Sequence, residues 1–255
     1  MIANRSGWLV ACGALLFATV IRPVAAGEVN AAVAANFAVP MQQIVELFQK
    51  ESGHTVKVSL GSSGKFYSQI KQGAPFDVFL SADEKNPKLL EEEGLTVPNS
   101  RFVYAFGKLV LWSAQPGYVD DKGAVLGKGS YKKLAYADPK LAPYGFAAKE
   151  TLEGLGLWDR VQGKLVTGES IAQTYQFAAT GNAELAFIAL SQITKDGKVT
   201  GGSWWLVPAQ MYSPIRQSAV LLSSAKDKAA AQDFLKFLKS EKAVAIIRSF
   251  GYDLH

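Results

Sequence analysis

The chain has 255 residues, 49% of them hydrophobic, which is enough to bury a large core and build two modest domains, and which excludes a disordered chain. Its 27 Lys and Arg against 22 Asp and Glu give a formal net charge of +5. The lysines are scattered among acidic residues, as in KDKAAAQDFLKFLKSEKAVAIIR, so a solvated helix face accounts for them better than a nucleic-acid surface. The only histidines are His54, read as an exposed loop residue, and His255, with no HExxH pattern or carboxylate cluster, so no catalytic metal is expected.

The N-terminus carries Arg5, an apolar run from Trp8 to Ile21, and the small-residue site Val24-Ala25-Ala26. This is the layout of a secretory signal peptide over residues 1–26, with cleavage after Ala26 and a periplasmic destination. The run is short for a membrane span. The single cysteine, in Leu9-Val10-Ala11-Cys12, resembles a lipid-attachment box but has few apolar residues before it, so it is assigned to the discarded leader. The mature chain then has no disulfide and no thiol nucleophile. Removing Arg5 and Arg22 leaves 25 basic against 22 acidic residues, a net charge of +3.

EVNAAVAANF reads as a buried strand ending in small residues, followed by the loop Ala35-Asn36-Phe37 and a helix from Pro40 to Lys50 with Ile44, Leu47 and Phe48 at helical spacing. HTVKVSL is an alternating strand with Val56, Val58 and Leu60 on one face. It runs into SLGSSGKFYSQI, which superficially offers a phosphate loop. A nucleotide P-loop needs Gly six residues before the lysine and Ser or Thr directly after it, and Ser59 and Phe66 stand there. What survives is a helix N-terminus whose free N–H groups suit a small anion. FYSQIKQG is a short helix stopped at Gly73, FDVFLSA a third strand, and Ser81 with Glu84 spells a capping box for the next helix. Such alternation predicts an α/β domain with a parallel sheet and ligands beyond the carboxyl ends of its strands.

Arg101 to Ser113, RFVYAFGKLVLWS, is a long strand-like run of the kind that crosses between domains. The theme then repeats: KKLAYAD, the turn Pro143-Tyr144-Gly145 opening an amphipathic helix, GKLVTGES leading into IAQTYQFAATGN with Ser170 and Gln173 as a capping box, and the buried strand AELAFIAL. SPIRQSAVLLSS has strand character, and the C-terminal helix after it is expected to return to the first domain. With no low-complexity linker, the pattern predicts interleaved lobes joined by two crossings: residues 27–107 with 218–255, and residues 108–217.

Loops around Asn36, Ser63, Tyr144 and Ile171 thus sit at strand-to-helix transitions, two in each lobe. Capping and packing account for each residue taken singly. Taken together they present neutral donors, with no Asp or Glu until Glu169. A protonated oxyanion needs an acceptor for its O–H, whereas a dianion needs donors only, so donor-only loops favour a tetrahedral dianion of the sulfate or molybdate type.

Several ordered blocks carry a family resemblance from about Val29 to Tyr252: GAPFDVFLSAD at Gly73 to Asp83, AANF at Ala34 to Phe37, GSSG at Gly61 to Gly64, ADPKLAPYG at Ala137 to Gly145, and TGNAELAFIALSQ at Thr180 to Gln192. On these the mature chain resembles the periplasmic molybdate-binding proteins, the solute receptors of bacterial molybdate ABC importers. The resemblance implies two Rossmann-like lobes, the type II periplasmic binding protein fold, closing on molybdate or tungstate held by uncharged donors. Carried onto this chain, the anion site is Asn36, Ser63, Tyr144 and Ile171, with Ala35 and Ser62 secondary; Ile171 acts through its backbone N–H. Asn36 stands where other members have serine, and Ala189 where some supply a tyrosine, so the chain is similar to the branch that uses the tyrosine of the Pro-Tyr-Gly turn. The resemblance further implies an ABC permease partner, a monomer, no cofactor and no enzymatic activity. The alternatives are a receptor for sulfate or thiosulfate on the same fold, a module that kept the fold and lost transport, or an enzyme acting on phosphate groups, for which no base or nucleophile pair is found.

Overall fold

The computed structural model describes residues 26–254. The expected leader up to residue 25, Cys12 within it, and the terminal His255 lie outside the described residues. The first stretch runs β1 (Glu28–Ala34), α1 (Ala38–Ser52), β2 (Thr55–Gly61), α2 (Ser63–Lys71), β3 (Val78–Ser81), α3 (Lys85–Glu92) and β4 (Phe102–Gly107). The middle runs β5 (Leu109–Ser113), α4 (Val125–Lys128), β6 (Leu134–Ala137), α5 (Pro143–Gly154), α6 (Trp158–Val161), β7 (Leu165–Gly168), α7 (Ile171–Ala179) and β8 (Leu185–Ala189). A short pair, β9 (Thr194–Lys195) and β10 (Lys198–Val199), then leads to β11 (Ser203–Leu206), and the chain closes with β12 (Ile215–Leu221), α8 (Ala229–Leu238) and α9 (Glu241–Ser249).

Two five-stranded sheets organise these elements, ordered β2-β1-β3-β12-β4 and β11-β5-β8-β6-β7. In the first, β1 lies parallel to β2 and β3, and β12 returns antiparallel to β3 and β4. In the second, β6 is parallel to β7 and β8, and β5 is antiparallel to β8 and β11. The run RFVYAFGKLVLWS divides between the sheets, with Lys108 alone separating β4 from β5. That is the first crossing. The second lies between β11 and β12, and Ile215, Arg216 and Gln217 already pair with Gly107, Phe106 and Ala105, ahead of the boundary expected at residue 218.

Strands covered on both faces need apolar residues at every position rather than alternate ones. β1 meets this with Ala31, Ala32 and Val33 all buried, alternating between two helical layers. Val29, Ala31 and Val33 share a core with Met41, Ile44 and Phe48 of α1 and with Phe234, Leu238 and Ile247 of the C-terminal helices, which do return to the first sheet. Ala32 faces Phe66, Phe79 and Leu90. The second sheet has its counterpart in Leu109, Leu111, Leu134, Leu185 and Phe187 under α5.

Four expectations are corrected. β2 is an edge strand, and Val58 and Leu60 are exposed at 37% and 53% because β2 runs out over an open groove, which Leu60 lines. His54 is buried, its Nδ1 accepting from Gly27 N at 3.0 Å and its Nε2 lying 3.5 Å from Asp233, so it fastens the start of β1 toward α8. Ser81 does not cap α3: its hydroxyl donates to Asp83 Oδ1, and that carboxylate accepts from Asn86 N at 2.9 Å. Burial raises the Asp83 carboxyl above its ordinary range, while its bonds from Asn86 and Ser81 pull it back. At α7, Ser170 accepts from Gln173 N as expected, but the Gln173 side chain accepts from Glu169 N rather than from the capping residue.

Candidate functional site

Four strand ends aim at one place. β1 ends in a tight turn, Ala35–Phe37, β2 ends at the N-terminus of α2, β6 leads to that of α5, and β7 leads to that of α7. Ser63, Tyr144 and Ile171 stand in the first turns of their helices, where geometry gives the backbone N–H no intrahelical acceptor. The positive ends of three helix dipoles therefore face the same volume. That volume is a small cavity of about 10 Å³, on the measure by which one water needs roughly 10–15 Å³. Its lining takes in Ala35, Asn36, Ser62, Ser63, Tyr144 and Ile171, with Ala34, Gly61, Ala82, Ala142 and Pro143 completing the wall. All six residues singled out from the sequence meet at one cavity, and its wall holds no charged side chain.

The side chains divide by what else they do. Ser63 Oγ accepts from Ala82 N at 2.9 Å, which fixes the hydroxyl oxygen and leaves its proton free to donate. Ser62 stands at the N-cap of α2 but makes no capping bond, and its buried hydroxyl has no partner. Asn36 donates through Nδ2 to Gln217 Oε1 and to the Tyr252 hydroxyl, both at 2.8 Å, while its buried Oδ1 has no donor. Among the described residues three buried side-chain polar atoms lack a partner, and two of them, Asn36 Oδ1 and Ser62 Oγ, belong to the lining of this cavity. Buried polar atoms are normally satisfied, so their concentration here marks a place built for a polar solute.

Ile171 keeps its side chain in the second core, and its carbonyl accepts from Gln192 Nε2 at 3.0 Å, which fixes the start of α7. The Tyr144 hydroxyl accepts from Gln217 Nε2 at 3.1 Å. It lies against Gly107 at the first crossing, where a Cβ would collide with it. Burial first, then the neighbouring Tyr252, pushes the Tyr144 phenol well above its ordinary value, so it stays neutral.

Behind the cavity lies a polar cluster that sequence reasoning did not single out. Tyr104 donates toward Gln217 Oε1 at 3.0 Å and Ser81 O at 3.2 Å, and Ser191 and Tyr252 both donate to Asn36 O. The cluster joins β4, β12, the C-terminal segment and the turn after β8, so it ties both sheets together at the crossings. Its one local signal is Gln217, a long polar side chain buried within β12 beside the buried Ser218.

Residues 29–253 match the family of bacterial extracellular solute-binding proteins. The chain belongs to that family. It is 57% identical over 254 residues to the molybdate-binding protein ModA of Azotobacter vinelandii, covering 100% of both chains. It is also 57% identical over 230 residues to the molybdate-binding protein ModA of Rhodobacter capsulatus, covering 90% of each. Among solved structures it superposes on the Azotobacter vinelandii periplasmic molybdate-binding protein with a TM-score of 0.87 at 45% identity, covering 89% of this chain and 99% of that one.

A second, larger space adjoins the cavity of this solute-binding protein. It is an open groove of about 520 Å³ that shares Gly61 and Ser62 with the cavity and is bordered by Lys65, Gln69, Glu169 and Gln173. Lys65 Nζ lies 3.9 Å from Glu169 across it, with both side chains exposed, so the pair contributes little to holding the lobes together. The cavity differs from the groove in that most of its lining residues are buried, which strengthens hydrogen bonds donated into it.

Proposed function

We propose that the protein captures molybdate, and tungstate with it, in the cavity between its two lobes, 27–107 with 218–255 and 108–217, and delivers it to an ABC permease. The observation that carries this reading is the cavity itself: a small space lined mostly by buried residues and walled by helix N-termini, two serine hydroxyls and an asparagine amide, with no carboxylate to accept a proton. Its helix N-termini and serine hydroxyls suit a fully ionised tetrahedral anion, and without a carboxylate the wall has no charged acceptor for an O–H. Two relatives named for molybdate binding, each 57% identical, support molybdate as the anion.

Capture follows from the two-lobe architecture. Ala35, Asn36, Ser62 and Ser63 offer donors from the first lobe, and Tyr144 and Ile171 offer backbone N–H groups from the second. An anion that bonds to both stabilises the closed state over the open one by the contacts it gains only on closure. The closed surface is what the permease reads. The anion is cargo, so the reading calls for no cofactor, and Ser63, whose oxygen accepts from a backbone N–H, acts as a donor and not as a nucleophile. A leader over residues 1–26 sends the chain to the periplasm, where it works as a monomer.

Elemental analysis tests this. Residues 27–255, equilibrated with molybdate and desalted, should retain equimolar molybdenum, and the Ser62→Ala/Ser63→Ala variant should retain almost none. Equal retention by the variant, or none by the wild type, contradicts the reading.

A further inference from the structure

Asn36 poses a hydrogen-bonding problem. Its amide lines a cavity built of donors, yet Nδ2 is engaged by Gln217 and Tyr252, and Oδ1, the other branch of the same planar group, has no donor. In that arrangement the branch left for the cavity is an acceptor, which repels an anion.

We propose that Gln217 is a positioning residue for Asn36, and that anion binding inverts the shared hydrogen-bond order so that Asn36 turns from acceptor to donor. The proposal rests on the anion reading above. The chemistry of the cluster permits the inversion by a half-turn of each amide, which exchanges its O and N and leaves the rest of the cluster in place, because both residues carry amides and every other member carries a hydroxyl, which donates or accepts. In the order seen, Gln217 Oε1 accepts from Asn36 Nδ2 and from Tyr104, and Gln217 Nε2 donates to Tyr144. In the inverted order, Gln217 Nε2 donates to Asn36 Oδ1 and to the Tyr104 oxygen. Tyr104 then gives its single proton to Ser81 O, already 3.2 Å away. Tyr144 gives its proton to Gln217 Oε1, and Tyr252 turns its proton from Asn36 O, which still accepts from Ser191, to Asn36 Oδ1. The two Nδ2 protons of Asn36 are released toward the anion. The inverted order satisfies Oδ1, which the order seen leaves buried and unpaired, and it needs only an anion to accept from Nδ2. The same residues sit at the crossings between lobes, so anion occupancy and the bonding of the crossing strands change together.

A serine in place of Asn36 provides the test, because a hydroxyl rotates to donate whatever its neighbours demand. Glutamate at position 217 is an acceptor only when ionised, so Gln217→Glu holds Asn36 Nδ2 and forbids the inverted order. Molybdate affinity is measured by calorimetry at about pH 8 and again at about pH 10, the higher value ionising a carboxyl that burial at position 217 raises, in the wild type, Asn36→Ala, Asn36→Ser, Gln217→Glu and Gln217→Glu/Asn36→Ser. Gln217→Glu should weaken binding about 100-fold with Asn36 present, and by about tenfold less in the Asn36→Ser background. Equal losses in both backgrounds would mean that charge repulsion or general damage explains the effect, and the proposal is overturned. Wild-type affinity in Asn36→Ala would instead remove Asn36 from the anion site, overturning the reading beneath it. If Gln217→Glu does not fold, Gln217→Met enters the same cycle, with a smaller loss and the same requirement that Asn36→Ser diminish it.

Discussion

The backbone N–H of Gly64 donates to the carbonyl of Leu141 at 2.9 Å, tying the first turn of α2 in one lobe to the segment before α5 in the other. A Cβ at position 64 would sit 3.1 Å from both Cα and O of Leu141, so glycine lets the two backbones meet at this point. The contact exists only when the lobes are together. Gly64→Ala should therefore leave the fold intact and oppose closure, weakening molybdate binding by about 5- to 150-fold, the equivalent of the ~1–3 kcal/mol typical of overpacking. Calorimetry beside a thermal melt checks this. Unchanged affinity would show that closure does not need this approach.

Ser63 holds two bonds at once, accepting from Ala82 N and keeping its proton for the anion. Ser63→Ala leaves Ala82 N unpaired and removes a donor to a charged ligand, so affinity should fall on the order of 10- to 100-fold, at ~1.5–3 kcal/mol per charged hydrogen bond. Ser63→Thr, which restores the hydroxyl, should recover part of the loss. No recovery would point to the pocket shape rather than the hydroxyl.

The four loops were legible in the sequence because each is a local event: a strand pattern, a tight turn and a helix pattern within about fifteen residues. Nothing local shows that they meet, and that step came from their shared donor-only chemistry and from family resemblance. The cluster behind them was invisible for a related reason. Tyr104, Ser191, Gln217 and Tyr252 come from distant segments, and a tyrosine in a strand is an ordinary residue until its partner is known. His54 was misread because its burial depends on Gly27 and on Asp233 of α8, far away along the chain.

Tyr144→Phe removes the hydroxyl that accepts from Gln217 Nε2 inside a buried cluster. Stability should drop by about 1–3 kcal/mol, the cost of an unpaired buried donor, with a smaller loss in affinity than Ser63→Ala causes. A larger affinity loss than that of Ser63→Ala, measured by the same titration, would mean that the hydroxyl itself contacts the anion.

Burial pushes the Tyr252 phenol up to about 12, although its hydrogen bonds with Ser191 and Asn36 pull it down. Between about pH 10, the ordinary tyrosine value, and pH 12, the unfolded chain loses this proton while the folded chain keeps it. The unfolded state then binds fewer protons, so stability is unaffected below about pH 10 and falls as pH rises above it, by at most about 1.4 kcal/mol per pH unit for this group. Denaturant unfolding at about pH 9 and pH 11 should show a smaller loss in Tyr252→Phe than in the wild type. Identical losses would contradict the assignment.

Calorimetric titration of residues 27–255 with molybdate, tungstate, sulfate and phosphate in turn tests the central claim most directly. A cage of neutral donors that closes to fit the long metal–oxygen bonds of molybdate and tungstate, with no carboxylate in its wall, predicts tight, equimolar binding of both, weak binding of sulfate, whose shorter bonds leave the donors too far away, and none of hydrogen phosphate, whose O–H finds no carboxylate. Tight binding of phosphate, or binding of none of the four, would contradict it.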